Sequence, residues 1–312
     1  MKIRWALAAM LLVSACGGNP WVEDDGGGDG DDGDVPAEIA KDLRAVTYSP
    51  ADGGKLTVDM DGLVGSGQEV TFLRAAALDV GDYEAYRYQE NGLQRSYLAL
   101  VSQNARKNLQ VVGVSDGSQF NRNFGGANYT RLDVYKAPDV SGGGDAGQFS
   151  YAGTYAGIFA TGNATNPALP SGLSANSTYR VEGDMVMTAN FANSLVEGGV
   201  DNRWLLDSKG NAIDFNEDGE IDDADKLPAI AFPEMEITED GTFLGTVEIG
   251  TGSPQAGSEV GNVGGLFGGN GATDVAGAIV INPLGQDSET EIGIFNLPRC
   301  GTQGDSPICD NR

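Results

Sequence analysis

Apolar and polar side chains alternate through residues 179–191. Tyr179, Val181 and Met185 occupy odd positions, whereas Glu182 and Asp184 occupy the even positions between them. Successive side chains of a β-strand point to opposite faces, so a period of two is typical of a strand with one buried face and one wet face. The pattern predicts an amphipathic strand.

Further strand patterns fill residues 148–297. They lie at residues 148–159, 193–200, 234–238, 242–249, 264–281 and 291–297. The run 264–281 contains a Gly-Gly-Asn-Gly turn of the kind that joins two antiparallel strands. About eight strands in this region predict a small closed antiparallel barrel, because closure removes the free edges of a sheet.

The N-terminal half also predicts strands. Short apolar runs recur at residues 55–60, 69–78, 83–88, 96–102, 109–114 and 129–135, and turn signals rich in Gly, Asp and Asn separate them. This spacing predicts a β-rich domain over residues 44–138, followed by a glycine-rich linker at 139–147. The fold class is therefore all-β. Residues 75–77 are compatible with either a bulge or a helical turn.

Four short motifs follow one another in the C-terminal half. Tyr-x-Gly-x-Tyr-x-Gly occupies residues 151–157, Ala-Asn-Phe-Ala residues 189–192 and Gly-Gly residues 198–199, and a Leu-Phe-Gly hairpin begins at residue 266. In this order they resemble the barrel domain of transferrin-binding protein B-like surface lipoproteins. The resemblance covers residues 148–297, and residues 44–138 by position only. It implies a handle-like domain followed by an eight-stranded barrel, in a single-lobe member of the family.

The resemblance also implies a function. It points to a surface-exposed lipoprotein of the outer membrane that binds a partner protein or an iron-bearing ligand. A structural or adhesive envelope lipoprotein that captures no solute is the alternative, and the residues leave both possibilities open. The sequence contains no His, so a His-ligated haem is excluded, and haem or iron is not supported as a cofactor.

The N-terminus has the pattern of a targeting segment. Lys2 and Arg4 precede a short apolar run, which ends in Leu-Val-Ser-Ala-Cys with its cysteine at position 16. This looks like a bacterial lipobox, so residues 1–15 are predicted to be a signal peptide and Cys16 to carry the lipid that anchors the chain to the membrane. Gly17 favours sorting to the outer membrane. A plain secretory signal with a chance cysteine is the alternative.

A tether is predicted to follow the lipidated cysteine, over residues 16–43. Residues 23–34 consist only of Glu, Asp and Gly, so they offer no apolar surface to bury, and their charges repel one another.

The charge and composition of the chain narrow the functional classes. The formal net charge is −26, which argues against nucleic acid as a partner because phosphates repel an acidic surface. Residues 113–117 match the G-x-S-x-G pattern of a nucleophile elbow, but the His that would act as its base is missing. We therefore expect a binding or structural protein and no enzyme.

One acidic stretch has the spacing of a calcium-binding loop. In the twelve-residue EF-hand pattern, six positions supply ligands and a glycine permits the sharp turn at the sixth position, here Gly219. The six candidate ligands are Asp214, Asn216, Asp218, Glu220 (through its backbone carbonyl), Asp222 and Asp225. The loop lies in a predicted inter-strand insertion at residues 207–228. Asp replaces the usual Glu at its last position, and an acidic surface loop without a metal is the alternative.

Two cysteines remain near the C-terminus. Cys300 and Cys309 lie in a polar tail, residues 298–312, that is rich in turn formers. In an exported protein they are expected to form a disulfide. A metal site is the weaker alternative, since two thiols without a third ligand bind metals poorly.

Overall fold

The computed structural model of the protein describes residues 35–63, 69–92, 94–117, 122–142, 146–162, 169, 172–214, 217–282 and 289–311. The fold is all-β, with an N-terminal seven-stranded antiparallel sheet followed by a closed antiparallel barrel. Helices are short in the described parts of the chain, and none is both long and apolar enough to cross a bilayer.

The N-terminal sheet is a simple meander in which each strand pairs with the next. Its strands are β1 (Leu43–Ser49), β2 (Lys55–Met60), β3 (Val70–Arg74), β4 (Glu84–Tyr88), β5 (Tyr97–Gln103), β6 (Leu109–Asp116) and β7 (Gly125–Arg131). The sheet curls until its first and last strands meet, where the Asp42 N–H donates to the Gly125 carbonyl at 3.2 Å and the Asp42 carboxylate accepts from the Gly125 N–H at 3.1 Å. The result is nearly a second barrel.

The N-terminal sheet contains one strand, β1, that the sequence patterns do not predict, and it differs from the expectation at two further places. Residues 35–43 were assigned to the tether, but they contain the helix α1 (Ala37–Ala40) and a fully buried Ile39. The helix spans only four residues, which is too short for a periodic pattern to reveal it. The last strand covers Gly125–Arg131 rather than residues 129–135, and at its end the Arg131 guanidinium binds the Phe267 and Asp240 carbonyls at 2.8 and 2.6 Å. The open choice at residues 75–77 is a 3-10 turn, Ala76–Leu78.

The barrel is built from eight long strands and one short one. They are β8 (Gln148–Thr161), β9 (Thr178–Asn190), β10 (Leu195–Leu206), β11 (Lys226–Leu227), β12 (Ile230–Glu236), β13 (Thr242–Ile249), β14 (Glu259–Gly268), β15 (Asp274–Ile281) and β16 (Glu289–Pro298). The barrel closes because β8 pairs with both β16 and β9, and β9 pairs in turn with β10. The short strand β11 lies beside β10, inside the predicted insertion 207–228.

Apolar side chains pack together at the centre of the barrel. The inward-facing residues of all eight long strands form one apolar cluster, and the largest of them are fully buried. These large residues are Tyr151, Tyr155, Phe159, Phe232, Phe267 and Phe295. The alternation seen at residues 179–191 is confirmed here, because Val181, Met185 and Met187 lie in this cluster.

A second apolar cluster joins the N-terminal sheet to the barrel wall. From the sheet it includes Leu98, Leu100 and Val111. From the barrel it includes residues of β8, β14, β15 and β16 only, such as Ile292 and Ile294. The contact is close, since a Cβ added to Gly113 would lie 2.9 Å from the Ile294 Cγ2 atom. The N-terminal sheet therefore covers one wall of the barrel, and a third cluster fills the sheet's own concave side.

Polar contacts fix the position of the N-terminal sheet relative to the barrel. The buried Tyr83 hydroxyl donates to the Thr154 carbonyl at 2.8 Å and accepts from the Asn296 N–H at 2.9 Å. At the far end, Arg106 binds the buried Asp274 carboxylate at 2.5 Å and also donates to the Gln303 carbonyl in the tail. These contacts tie both halves and the C-terminal tail into one body.

We expect Tyr83→Phe to lower the free energy of unfolding by about 1–3 kcal/mol, because the substitution leaves the Asn296 N–H and the Thr154 carbonyl without this partner at a dry interface. Chemical denaturation of the wild type and the variant measures the difference. Tyr88→Phe is the matched control, since Tyr88 is only partly buried and its ring contacts survive the change. Equal loss in both variants would show that the interface does not depend on the Tyr83 hydroxyl.

Candidate binding surface

The cysteine predictions fall in different parts of the chain. Cys16 lies outside the described residues. Cys300 and Cys309 form a disulfide with a Cα–Cα distance of 5.5 Å. The Cys300 N–H donates to the Ser150 carbonyl at 2.8 Å, so the disulfide-closed tail continues the sheet beside the start of β8. The tail has a structural position at the end of the barrel opposite the insertion.

The first half of the predicted calcium loop is organised by side chain–backbone hydrogen bonds. The Asp214 carboxylate accepts from the Glu217 N–H at 2.6 Å and from the Gly219 N–H at 2.9 Å, and Asp218 accepts from the Glu220 N–H at 2.9 Å. Gly219 has a φ of +87°, which a glycine adopts without strain. The chain therefore turns sharply where the pattern predicts.

The second half of the loop is a separate unit. Asp222 and Asp225 cap a 3-10 turn, Asp223–Asp225, by accepting hydrogen bonds from backbone N–H groups, and Asp225 is buried there. Across the described residues, no three acidic or cysteine side chains come together closely enough to hold a metal ion. Asn216 lies outside those residues. Calcium binding by this loop stays a prediction.

A buried ion pair crosses the interior of the barrel. The Arg203 guanidinium of β10 lies 2.6 Å from the Glu291 carboxylate of β16, and both side chains are fully buried. The Tyr155 hydroxyl donates to the same carboxylate at 2.6 Å, and the Pro228 carbonyl accepts from Arg203. Burial, and secondly the Glu291 charge, raise the pKa of Tyr155 well above its usual value, so the hydroxyl stays protonated and keeps donating.

Glu289 lies two residues before Glu291 on the same strand, and its side chain therefore points to the same interior face. It is only 3% exposed, and its Oε2 atom has no hydrogen-bond partner among the described residues. Burial raises the pKa of this carboxyl above its ordinary value of 4.5. Since no described residue bonds its Oε2 atom, the buried Glu289 carboxylate is expected to reduce stability at neutral pH.

The packed interior of the barrel makes the outer surface the better candidate for a binding site. Aromatic rings and the Arg203–Glu291 pair occupy the centre of the barrel, which favours a binding site elsewhere. We expect a ligand of this protein to bind an outer wall or the loops.

Charge is divided very unequally between the two halves. Residues 35–137 contain 12 Asp and Glu against 11 Lys and Arg, whereas residues 148–298 contain 22 Asp and Glu against four Lys and Arg. The N-terminal sheet is thus nearly neutral, and the barrel carries most of the negative charge of the folded protein.

The carboxylates of the barrel strands concentrate on one wall. The outward faces of β9, β10, β12 and β13 contribute nothing to the apolar interface with the N-terminal sheet, and they remain open to solvent. Seven exposed or partly exposed acidic residues lie on these faces, and we call this surface the acidic wall. They are Glu182, Asp184, Glu197, Asp201, Glu234, Glu236 and Glu248.

The few basic residues of the barrel do not neutralise the acidic wall. Arg203 points into the interior, and the 97% buried Arg180 donates to the Asp79 and Asp207 carbonyls. Lys226 binds Asp223 at 2.7 Å at the margin of the wall and lies over the Trp204 ring. The remaining one, Lys209, is exposed in the insertion. The wall therefore presents a negative potential to any approaching molecule.

Sequence reasoning did not identify the acidic wall as a site. It placed Glu182 and Asp184 on the wet face of their strand, and a separate count of charges for each half would have shown the asymmetry. The residues alone could not show which wall of the barrel the N-terminal sheet covers, because that choice depends on packing between distant segments.

We expect Glu289→Gln to raise the free energy of unfolding at pH 7. Because the folded-state pKa of Glu289 is raised, its destabilising effect is fully present above that pKa and disappears as the pH falls below the unfolded value of 4.5. The variant and the wild type should therefore converge in acid. Denaturation curves between pH 4 and pH 8 or so test this expectation, with the exposed Glu259→Gln as control. A variant that is less stable at every pH would contradict it.

We expect calcium to stabilise the wild-type chain through residues 214–225. Extracellular loops of this type bind at about 0.1–1 mM, and saturation at about 100 times the dissociation constant adds roughly 2.7 kcal/mol if only the folded state binds. Asp214→Asn with Asp218→Asn should abolish the gain, as measured by calorimetric titration and by thermal melting in calcium and in chelator.

The matched control for the calcium test changes two acidic residues of the same loop that occupy non-ligand positions, Glu217→Gln and Asp223→Asn. It removes the same charge and should retain the effect. If the wild type gave no binding heat, or if both double variants lost the stabilisation by calcium equally, the stretch would be an acidic surface loop without a metal.

Comparisons with known proteins find similarity at the level of structure only. No family model matches the sequence, and no curated protein matches it. A transferrin-binding protein B double mutant from Haemophilus parasuis Hp5 matches with 11% identity and a TM-score of 0.40, over 78% of this chain and 40% of that one. Isotype 1 transferrin-binding protein B from serogroup B Neisseria meningitidis matches with 17% identity and a TM-score of 0.37, over 84% and 42%.

A protein described as a surface lipoprotein matches over 85% of this chain and 100% of its own length, with 14% identity and a TM-score of 0.40. The chain spans about two fifths of the two transferrin-binding proteins and the whole of the surface lipoprotein. The structure is thus similar, at low sequence identity, to a single lobe of these proteins.

Proposed function

We propose that this protein is a lipid-anchored cell-surface protein that binds a basic protein partner through the acidic wall of its barrel. In this proposal Cys16 carries the lipid that anchors the chain in the outer membrane. The acidic segment that follows is a tether that holds the folded body away from the membrane. The folded body is a rigid binding module without catalytic activity.

The observation that carries the proposal is the concentration of acidic residues on a wall that no described part of the N-terminal sheet covers. Twenty-two acidic residues against four basic ones lie in residues 148–298, and the exposed ones on the strands face away from the N-terminal sheet. Like charges placed side by side repel one another and lower the stability of the folded state. An arrangement of this kind is favourable when a complementary surface docks against it, because the opposite charge steers the encounter and fixes its orientation.

A protein partner fits this geometry better than a small iron-bearing ligand. Apolar side chains pack in the barrel centre, and the wall extends over four neighbouring strands, which suits a broad contact surface. With no His in the chain, iron would have to be held by other side chains, and no three acidic or cysteine residues converge among those described.

A capture experiment with matched variants tests the proposal. The full mature chain, kept in solution by Cys16→Ser, is immobilised and exposed to extracellular protein from the native growth environment. One variant removes three charges of the acidic wall by Glu182→Gln, Asp184→Asn and Glu236→Gln. The control removes three exposed charges of the N-terminal half by Glu38→Gln, Asp52→Asn and Glu90→Gln.

The proposal predicts that the wild type and the control retain the same basic protein and that the wall variant retains at least about tenfold less, with capture falling as NaCl rises from about 50 to 500 mM. Retention that is equal in all three proteins would contradict the acidic wall as the site. If the wild type retains no protein at all, the structural or adhesive role becomes the better account.

A further inference from the structure

A groove of about 360 Å³ interrupts the acidic wall. It lies on the outward side of β9, β10, β12 and β13, away from the N-terminal sheet. The residues that line it and carry its chemistry are Val186, Thr188, Glu197, Ala231, Pro233 and Glu248. Grooves of this size are at the low end of small-ligand sites, and they suit one or two side chains of a partner.

Local irregularities in the barrel open this groove. The pairing of β10 with β12 shifts register between Val196 and Gly198, and the paired residues of β12 and β13 reach only as far as Ala231. Pro233 follows at once, and it has no N–H to continue the ladder. The strands therefore diverge where the groove lies.

A glycine brings the apolar interior of the barrel close to the floor of the groove. A Cβ at Gly198 would lie 2.5 Å from the Phe232 Cε2 atom and 2.5 Å from the Val186 carbonyl oxygen, so no larger residue fits without a shift of the backbone. The Phe232 ring packs against this glycine from the interior side. The floor of the groove is consequently apolar.

The rim of the groove has the opposite character. Glu197 and Glu248 carry carboxylates on either side, and neither makes an ion pair or a hydrogen bond with any residue that the structure describes. The Thr188 hydroxyl supplies a further polar atom. An apolar floor beneath two uncompensated carboxylates matches a side chain with a long aliphatic stem and a cationic head.

We propose that this groove receives an arginine side chain from the partner protein. The aliphatic stem lies on Val186, Ala231 and Pro233, and the planar guanidinium donates hydrogen bonds to Glu197 and Glu248. Arginine fits better than lysine because its five donors lie in one plane and can serve two carboxylates and a hydroxyl together. The proposal rests on the proposed function, and it names the contact that would fix the orientation of the partner on the wall.

The test uses a blocked tripeptide, acetyl-Gly-Arg-Gly-amide, as the probe, with the lysine and the neutral citrulline analogues beside it. Titration into the ¹⁵N-labelled full mature chain, kept soluble by Cys16→Ser, is followed by NMR. Binding of a single side chain is expected at about millimolar affinity, because one contact must offset the loss of motional freedom. The amides that shift should be those around residues 186–188, 197–199 and 231–232, and citrulline should not bind.

Three variants separate the groove from the general field of the acidic wall. Glu197→Gln with Glu248→Gln removes the charges of the rim, and Ala231→Leu fills the floor without changing any charge. Glu182→Gln with Glu236→Gln removes two wall charges outside the groove. Both groove variants should weaken binding of the arginine peptide by about tenfold or more, whereas the control pair should weaken it by about twofold at most. Unchanged melting temperatures confirm that each variant is folded.

Equal weakening by the rim pair and the control pair would overturn the groove proposal, because the field alone would then explain the binding. Binding of citrulline as strong as that of arginine, or no binding of arginine to the wild type, would overturn it too. Those results would not contradict the proposed function, which is the binding of a basic protein by the acidic wall. If the wall variant retains its partner in the capture experiment while the peptide still binds in the groove, the proposed function fails and the groove remains.

Discussion

The apolar seam between the N-terminal sheet and one wall of the barrel is the contact on which the rest of the structure depends. Small and branched side chains such as Ala156, Ile158, Ile292 and Ile294 face outward there, and they would be exposed without the sheet. Burial of that wall is a main source of stability, since apolar area removed from water contributes about 25 cal/mol per Å². It also restricts most of the exposed acidic residues of the barrel strands to the walls that the sheet does not cover.

The interior of the barrel supports the walls from within. Aromatic rings fill its centre, and the Arg203–Glu291 pair with Tyr155 spans it, so the barrel is a solid support for its surface. Removal of one partner of such a pair leaves an uncompensated buried charge and costs about 3–5 kcal/mol, which makes these positions intolerant of single changes. The acidic wall consists of exposed or partly exposed side chains, so residues that bind a partner can lie there without disturbing the fold.

Local patterns in the sequence predicted most of the strands and the closed barrel, but not strand β1 or the wall of the barrel that the N-terminal sheet covers. Alternation gave the inward face of β9, and turn residues gave the barrel hairpins. Ile39 was missed because its helix of four residues is too short to show a period, and the pairing of Arg203 with Glu291 joins positions far apart in sequence. The groove depends on a bulge near Pro233 and on the side that the N-terminal sheet covers, and neither follows from local propensity. In the calcium pattern, hydrogen bonds to Asp214 form the predicted turn, while the ligand set as a whole rests on sequence spacing.

The central claim is that the partner meets the protein on the acidic wall in its native setting. Photo-crosslinking on intact cells tests it most directly, with a benzoylphenylalanine placed at Thr246 or Asn190 on the free side of the barrel, or at Thr71 or Leu73 on the exposed face of the N-terminal sheet. The account predicts one crosslinked protein from the barrel positions and none from the sheet positions. Crosslinks that arise only from the sheet, or with equal yield from both surfaces, would contradict it.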